Sequence, residues 1–316
     1  MRRRSVIGAL ASLGIVGPAF SQSPRLRVGV LVLTTADGRL FESEFRERGR
    51  ELGRNDISLE IRSADGVGSR LASLAAELVD SKVDIIAAVF TPCALAAKQA
   101  TSKTPIVVIS VGDPIGTGLV ENLARPGGNI TGISNLGAEM SGKCVELLHV
   151  MLPSLRKVAA LVNPLDAFTT PFLERVRLGG KAAGVEIGPI AAAQGSDDLE
   201  NAFAKIASEG ADAVIVQAVF FPKSVANLAI KHRLPSASVF RAFTSAGGLM
   251  SYGADVRHLH RRGAELIYKI LQGAKPADIP VEQPTRFELV INAQTAKSIG
   301  LSIPESFLTR ADEVIE

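Results

Sequence analysis

From Leu26 onward, short apolar runs rich in Val and Ile alternate with longer amphipathic stretches, almost without interruption. Such alternation specifies parallel strands joined by crossover helices, because parallel neighbours need a long connection and that connection must bury its own apolar face. In the first half, strands read at Leu26 to Leu33, Ser58 to Arg62, Val83 to Val89 and Pro105 to Val111. Helices fall near Glu42 to Leu52, Ser69 to Asp80 and Ala94 to Ala100. The second half repeats the pattern, with strands at Lys157 to Val162, Val185 to Ile190, Ala213 to Gln217 and Ser236 to Phe240. Its helices lie near Gly142 to Met151, Pro171 to Ala183, Asp197 to Ser208 and Lys223 to Lys231. Runs such as VDIIAAV and KVAALV are apolar on both faces, which requires helices on both sides of each sheet. The expectation is an α/β chain of two similar halves, each the size of an ordinary domain.

The join falls in the glycine-rich stretch that ends at Ser134. Beyond the second half, GGLMSYG (247–253) leads into a long amphipathic helix, Val256 to Leu271, and then into PVEQPTRFELVIN (280–292). A chain that ended with its second domain would not need this material, so it is expected to return to the first half and cross again.

Residues 1–21 carry Arg2-Arg3-Arg4, an apolar stretch from Val6 to Phe20, and Ala19 and Ser21 at the positions that precede a cut before Gln22. This is the pattern of a secretory signal peptide, the Arg pair leaving twin-arginine export open; a single N-terminal membrane anchor is the alternative. The formal charge of +3 lies entirely in those three arginines, so the mature chain is near neutral and nucleic acid is not an expected partner. Cys93 and Cys144 form neither a disulfide framework nor a metal spacing, and two reduced, buried thiols are expected.

The search for catalytic chemistry returns little. VGDPIGTGLVENLARPGGNITGIS (111–134) lacks both GxGxxG and GK[ST], and Glu121 would repel phosphate. No GxSxG elbow is present, Ser134 and Ser251 each lacking a glycine at the required spacing. His149, His232, His258 and His260 meet no evident nucleophile and read as surface or satisfied structural residues. Asp197-Asp198 reads as a helix N-terminus.

What remains is the set of small polar groups at the carboxyl ends of the strands, where open α/β sheets bind ligands. In the first half these are Thr34, Thr91 with Cys93, Ser110 and Asp113; in the second, Asn163 and Gln217. Thr91-Pro92 opens a helix whose N–H groups suit an anion, the alternative being that Thr91 only caps that helix. Phe220 and Phe240 stand where they would cover a ring, core packing being the alternative.

GDPIGTGLVENLARPGGNITGIS (112–134), AGGLMSYG (246–253) and GAKPADIPVEQPTRFELVINAQTAKSIGLSIPESFLTRADEVIE (273–316) resemble the ABC transporter substrate-binding family typified by tryptophan/tyrosine-type importer components, and the resemblance covers essentially the whole mature chain. It implies a type I periplasmic binding fold: two Rossmann-like lobes with parallel sheets, joined by three crossover hinge strands. Lobe 1 is then 25–131 plus 253–284, and lobe 2 is 132–252 plus 285–316. The implied role is that of a periplasmic, monomeric, non-enzymatic receptor without cofactor or metal, which closes on a small-molecule ligand and delivers it to ABC permease transmembrane subunits. A ligand-sensing subunit of a membrane signalling system is the alternative. By position, Thr91, Ser110 and Asp113 are implied to face the cleft from one lobe and Asn163 and Gln217 from the other. The family pattern has an acid at the position of Gln217 and a Glu in an REF motif where this chain has Arg241-Ala242-Phe243. An α-ammonium group would then need another carboxylate, for which Asp113 and Asp166 are the candidates.

Overall fold

The computed structural model describes residues 26–54, 56–194 and 196–316, so the signal-peptide reading of residues 1–21 lies outside the described residues. Among them no helix is long and apolar enough to cross a membrane. The first part of the chain runs β1 (Arg27–Val32), α1 (Thr35–Glu51), β2 (Ser58–Ser63), α2 (Leu71–Asp80), β3 (Ile85–Val89), α3 (Thr91–Ala100), β4 (Ile106–Val111) and β5 (Ile130–Ser134). It continues with α4 (Gly137–Met151), β6 (Lys157–Val162), α5 (Thr169–Ala183), β7 (Glu186–Ala192), α6 (Ser196–Ser208), β8 (Ala213–Val216), α7 (Pro222–Lys231), β9 (Ser236–Ser238), α8 (Arg241–Ser245) and β10 (Met250–Ala254). The last part is α9 (Val256–Leu271), β11 (Phe287–Asn292), α10 (Ala293–Ser298), α11 (Glu305–Leu308) and β12 (Glu313–Ile315).

Two sheets result, ordered β2-β1-β3-β4-β5 and β12-β11-β10-β9-β8-β6-β7. The first is parallel throughout, and its central strands β3 and β4 are buried along their whole length. Each sheet carries a hydrophobic core on either face. Leu78, Ile86 and Val108 pack on one side of the first sheet, and Phe41, Ile85 and Ile109 on the other. This is the two-lobed, largely parallel architecture that the alternation predicts.

The second sheet departs from it in its last two strands, since β11 pairs antiparallel with β10 and β12 runs parallel to β11. The path of the chain explains this. β10 leaves the second lobe, α9 packs on the first against α1 and β4, and the chain then re-enters to lie beside β10. A strand entering where its neighbour has just left runs the other way. Together with the passage from β5 to α4, the chain therefore crosses three times. α9 is held on the first lobe by Leu259, Leu266, Ile267 and Ile270, each buried side chain contributing about 2 kcal/mol.

The first and third crossings are tied to one another. Ser134 N donates to Glu282 O at 2.8 Å and Glu282 N to Gly132 O at 2.9 Å, while the Glu282 carboxylate pairs with Arg262 of α9. Gly132 is a required glycine, with φ of 149° and a Cβ position that falls on the Val108 carbonyl.

Cys93 and Cys144 are free and buried in different lobes, and burial pushes the Cys144 thiol up to about 12. One histidine differs from expectation. His260 is fully buried on α9 with its ring 6.0 Å from that of Phe41, neither ring nitrogen has a hydrogen-bond partner among the described residues, and burial holds the imidazole down to about 4. It is neither a surface histidine nor a satisfied one, and it acts as an apolar filler between α9 and α1.

Candidate ligand cleft

In the first lobe β3 gives way to α3 through Phe90, whose φ of 68° turns the chain sharply. Phe90 is the N-cap and caps with no side chain, so Thr91 is not the cap of its helix. Its hydroxyl accepts instead from Gly112 N at 3.1 Å, tying the start of α3 to the end of β4. Ser110, with φ of 59°, sits where the β4–β5 register shifts, a bulge of the kind that re-aims side chains near binding sites. Asn135 Nδ2 donates to Ser110 O at 2.8 Å and to Ser110 Oγ at 3.1 Å, and Asn135 Oδ1 accepts from Gly137 N at 2.7 Å. A buried amide thus fastens the end of β4 to the first crossing.

In the second lobe the loop after β6 carries Asp166. Its Oδ1 accepts from Phe168 N at 3.0 Å and its Oδ2 from Gln217 Nε2 at 2.9 Å. Gln217 is itself held by Asn163 N, at 2.9 Å, and by the Thr169 hydroxyl, at 3.0 Å, both donating to Oε1. With Oε1 so engaged, the amide must present its N–H to Asp166. Burial raises the Asp166 carboxyl above its ordinary value, the hydrogen bonds from Phe168 N and Gln217 pull it part of the way back, and no cation among the described residues contributes.

The two ends meet around an inner cavity of about 40 Å³ lined by Thr91, Ser110, Asn135, Asp166, Phe168 and Gln217, among others. Phe168 lies on Gly112 so closely that a Cβ there would enter its ring. Phe90 and Phe240 meet with ring centroids 5.4 Å apart, and beyond them opens an outer chamber of about 990 Å³.

Of the residues singled out from sequence, Thr91, Ser110, Asp166, Gln217 and Phe240 line the inner cavity. Thr34 and Phe220 line the outer chamber. The Thr34 hydroxyl is engaged with Asp37 in a capping box at the start of α1. Three others line neither cavity. Cys93 faces the core of the first lobe. Asp113 turns its carboxylate back onto Gly116 N, at 2.8 Å, and so orders the GDPIGTG loop. The Asn163 side chain accepts from Leu165 N within its own loop, and only its backbone reaches Gln217. Sequence reasoning passed over Asn135, Phe90 and Phe168. Phe90 precedes the chosen Thr91 at a strand end, a signal that was there to be used. Nothing local distinguishes Asn135 from any turn-forming Asn. Among the described residues no three His, Cys, Asp or Glu side chains gather as a metal site.

A family model of ABC transporter substrate binding proteins matches residues 27–315. A tyrosine-binding protein of Clostridioides difficile (strain R20291) is 27% identical over 267 residues, covering 83% of this chain and 75% of that one. Among solved structures, a conserved domain protein of Vibrio cholerae O1 biovar El Tor superposes with a TM-score of 0.85 at 25% identity, over 92% of this chain and 99% of that one. An ABC domain of Streptococcus pneumoniae in complex with L-Trp gives 0.85 at 27% identity, over 92% and 100%. With nearly all of its described length matched, and a cleft at the carboxyl ends of two facing sheets, the chain belongs to the ABC transporter substrate-binding protein family.

Proposed function

We propose that this protein is the exported solute receptor of an ABC importer, that it closes two lobes on an aromatic, α-amino-acid-like zwitterion, and that it hands this ligand to a membrane permease. The observation that carries the reading is the pairing of opposite chemistries across the inner cavity. On one side stand the first turn of α3 and the Ser110–Asn135 pair, which suit a carboxylate. On the other stands Asp166, desolvated, fixed by two hydrogen bonds and lacking a cation. A buried carboxylate of this kind is stabilised by a ligand ammonium, a charge-assisted contact that the protein itself does not supply. Asp166 thereby takes the part of the acid that the family pattern has where Gln217 stands, and Gln217 becomes the group that orients it. The names of the relatives, one binding tyrosine and one solved with L-Trp, agree with this ligand class. Phe90 and Phe240, which border both spaces, offer faces to a ring. Closure follows from both lobes contributing contacts, since the ligand favours the conformation in which all of them are made.

Thermal shift of the purified mature protein tests the reading. L-Tyrosine, L-tryptophan and L-phenylalanine should raise Tm, whereas 3-phenylpropionate and phenethylamine, each lacking one of the two charges, should not. Equal shifts with the single-charge compounds, or none with any zwitterion, would rule this reading out.

A further inference from the structure

The cleft is divided unequally, and the division bears on the size of the ligand. At about 10–15 Å³ of probe-sized space per water, the inner cavity of about 40 Å³ admits about three water-sized groups, enough for a charged head and too little for a ring. The neck leading out of it is walled by Leu33, Phe90, Gln217, Ala218, Val219 and Phe240, which border both spaces. Beyond the neck the chamber of about 990 Å³ is at the upper end of sites that enclose a whole drug-sized molecule, several times what one aromatic side chain fills.

The chamber is also selective in chemistry. Leu40, Phe220, Phe221 and Val256 furnish apolar surface from both lobes. Its charged border consists of Asp37, Asp65, Asp255 and Glu288 against Arg241 and Arg257. Both guanidiniums are already engaged, Arg241 with Glu288 at 3.6 Å and Arg257 with Glu44 at 2.7 Å. Among the described residues, a ligand whose far end were anionic would meet four carboxylates there against two guanidiniums that are already paired.

We propose that the ligand is an α-amino acid whose side chain continues past a single ring, with its zwitterionic head in the inner cavity and an extended, uncharged apolar body in the outer chamber. This rests on the reading of the inner cavity as the head-group site. The test is isothermal titration of the mature protein with L-phenylalanine, 4-phenyl-L-phenylalanine and the analogue of the latter bearing a carboxylate on the outer ring. The second ring should tighten binding by about tenfold or more, the gain expected from burying a further ring face, and the distal carboxylate should cancel that gain. Leu40→Trp partly fills the chamber from a position outside the hydrophobic cores, and should weaken the biphenyl compound at least about fivefold more than it weakens L-phenylalanine. If the biphenyl compound binds no tighter than L-phenylalanine, or if Leu40→Trp weakens both equally, the inference is overturned and the head-group site stands. If neither compound binds, the head-group reading falls and this inference with it.

Discussion

Asp166 carries the largest expected consequence of any single residue. Its carboxyl lies above the ordinary value because burial disfavours the charge. A group raised on folding contributes its stability below the unfolded pKa, and that contribution is lost as pH rises through the folded pKa. At neutral pH the ligand-free protein therefore bears an uncompensated charge. Asp166→Asn removes that charge but sets an amide N–H against the Gln217 N–H, so the Tm of the ligand-free protein at pH 7 should move by no more than about 2 °C, the worth of about 1 kcal/mol in a chain of this size. The same substitution should weaken a zwitterionic ligand by about 10- to 100-fold, the worth of a hydrogen bond to a charged group. A variant that binds the zwitterion as tightly as wild type would contradict the assignment. The sequence pointed to Asp166 only as a substitute acid, because nothing local reveals that Gln217, fifty-one residues on, holds its carboxylate. Asp113 looked equivalent on paper. Its carboxylate is consumed by the turn that directly follows it, accepting from Gly116 N three residues on, a role for which Asp is well suited.

At the scale of elements, periodicity told most of the story, and turn and cap chemistry accounts for what it left out. α9 begins and ends where its amphipathic pattern does. α1 starts at Thr35, well ahead of the expected Glu42, because Thr34, whose place in the sequence reads as a strand-end polar group, forms a capping box with Asp37. The antiparallel β11 was not legible, since its direction depends on where the chain re-enters the second lobe and not on its own residues. β5 shows what a single position imposes on an element. Gly132 lies against the Val108 backbone in a conformation that L side chains rarely adopt, on the edge strand that leads into the first crossing and is bonded to the third. Gly132→Ala must push β5 off β4 and disturb both crossings at once. We expect a loss of about 3 kcal/mol or more, at the level seen for strained backbone combined with overpacking, read as an earlier midpoint in urea unfolding. An unchanged midpoint would mean that β5 tolerates displacement from the sheet.

The whole molecule joins two lobes, each with its own core, by three short crossings, so few contacts oppose their relative motion beyond those made across the cleft. One such contact lies at the far border of the outer chamber, where the half-exposed Phe221 ring, at the start of α7, rests on Gly66 after β2. The ring loses this contact whenever the lobes part, and no strand or helix of either lobe depends on it. It should therefore weight the equilibrium between open and closed forms with little effect on the folding of either lobe. When the binding-competent form is only partly populated, the apparent Kd is the intrinsic one divided by that population. Removing a half-buried ring costs about 1 kcal/mol, so Phe221→Ala should raise the Kd of any cleft ligand about fivefold with Tm of the ligand-free protein nearly unchanged. Small-angle scattering of the ligand-free variant should show a larger radius of gyration than wild type, and saturating ligand should remove the difference, because the closed form is the same in both. If affinity falls while scattering at every ligand concentration matches wild type, the ring contacts the ligand directly and is not a latch between the lobes.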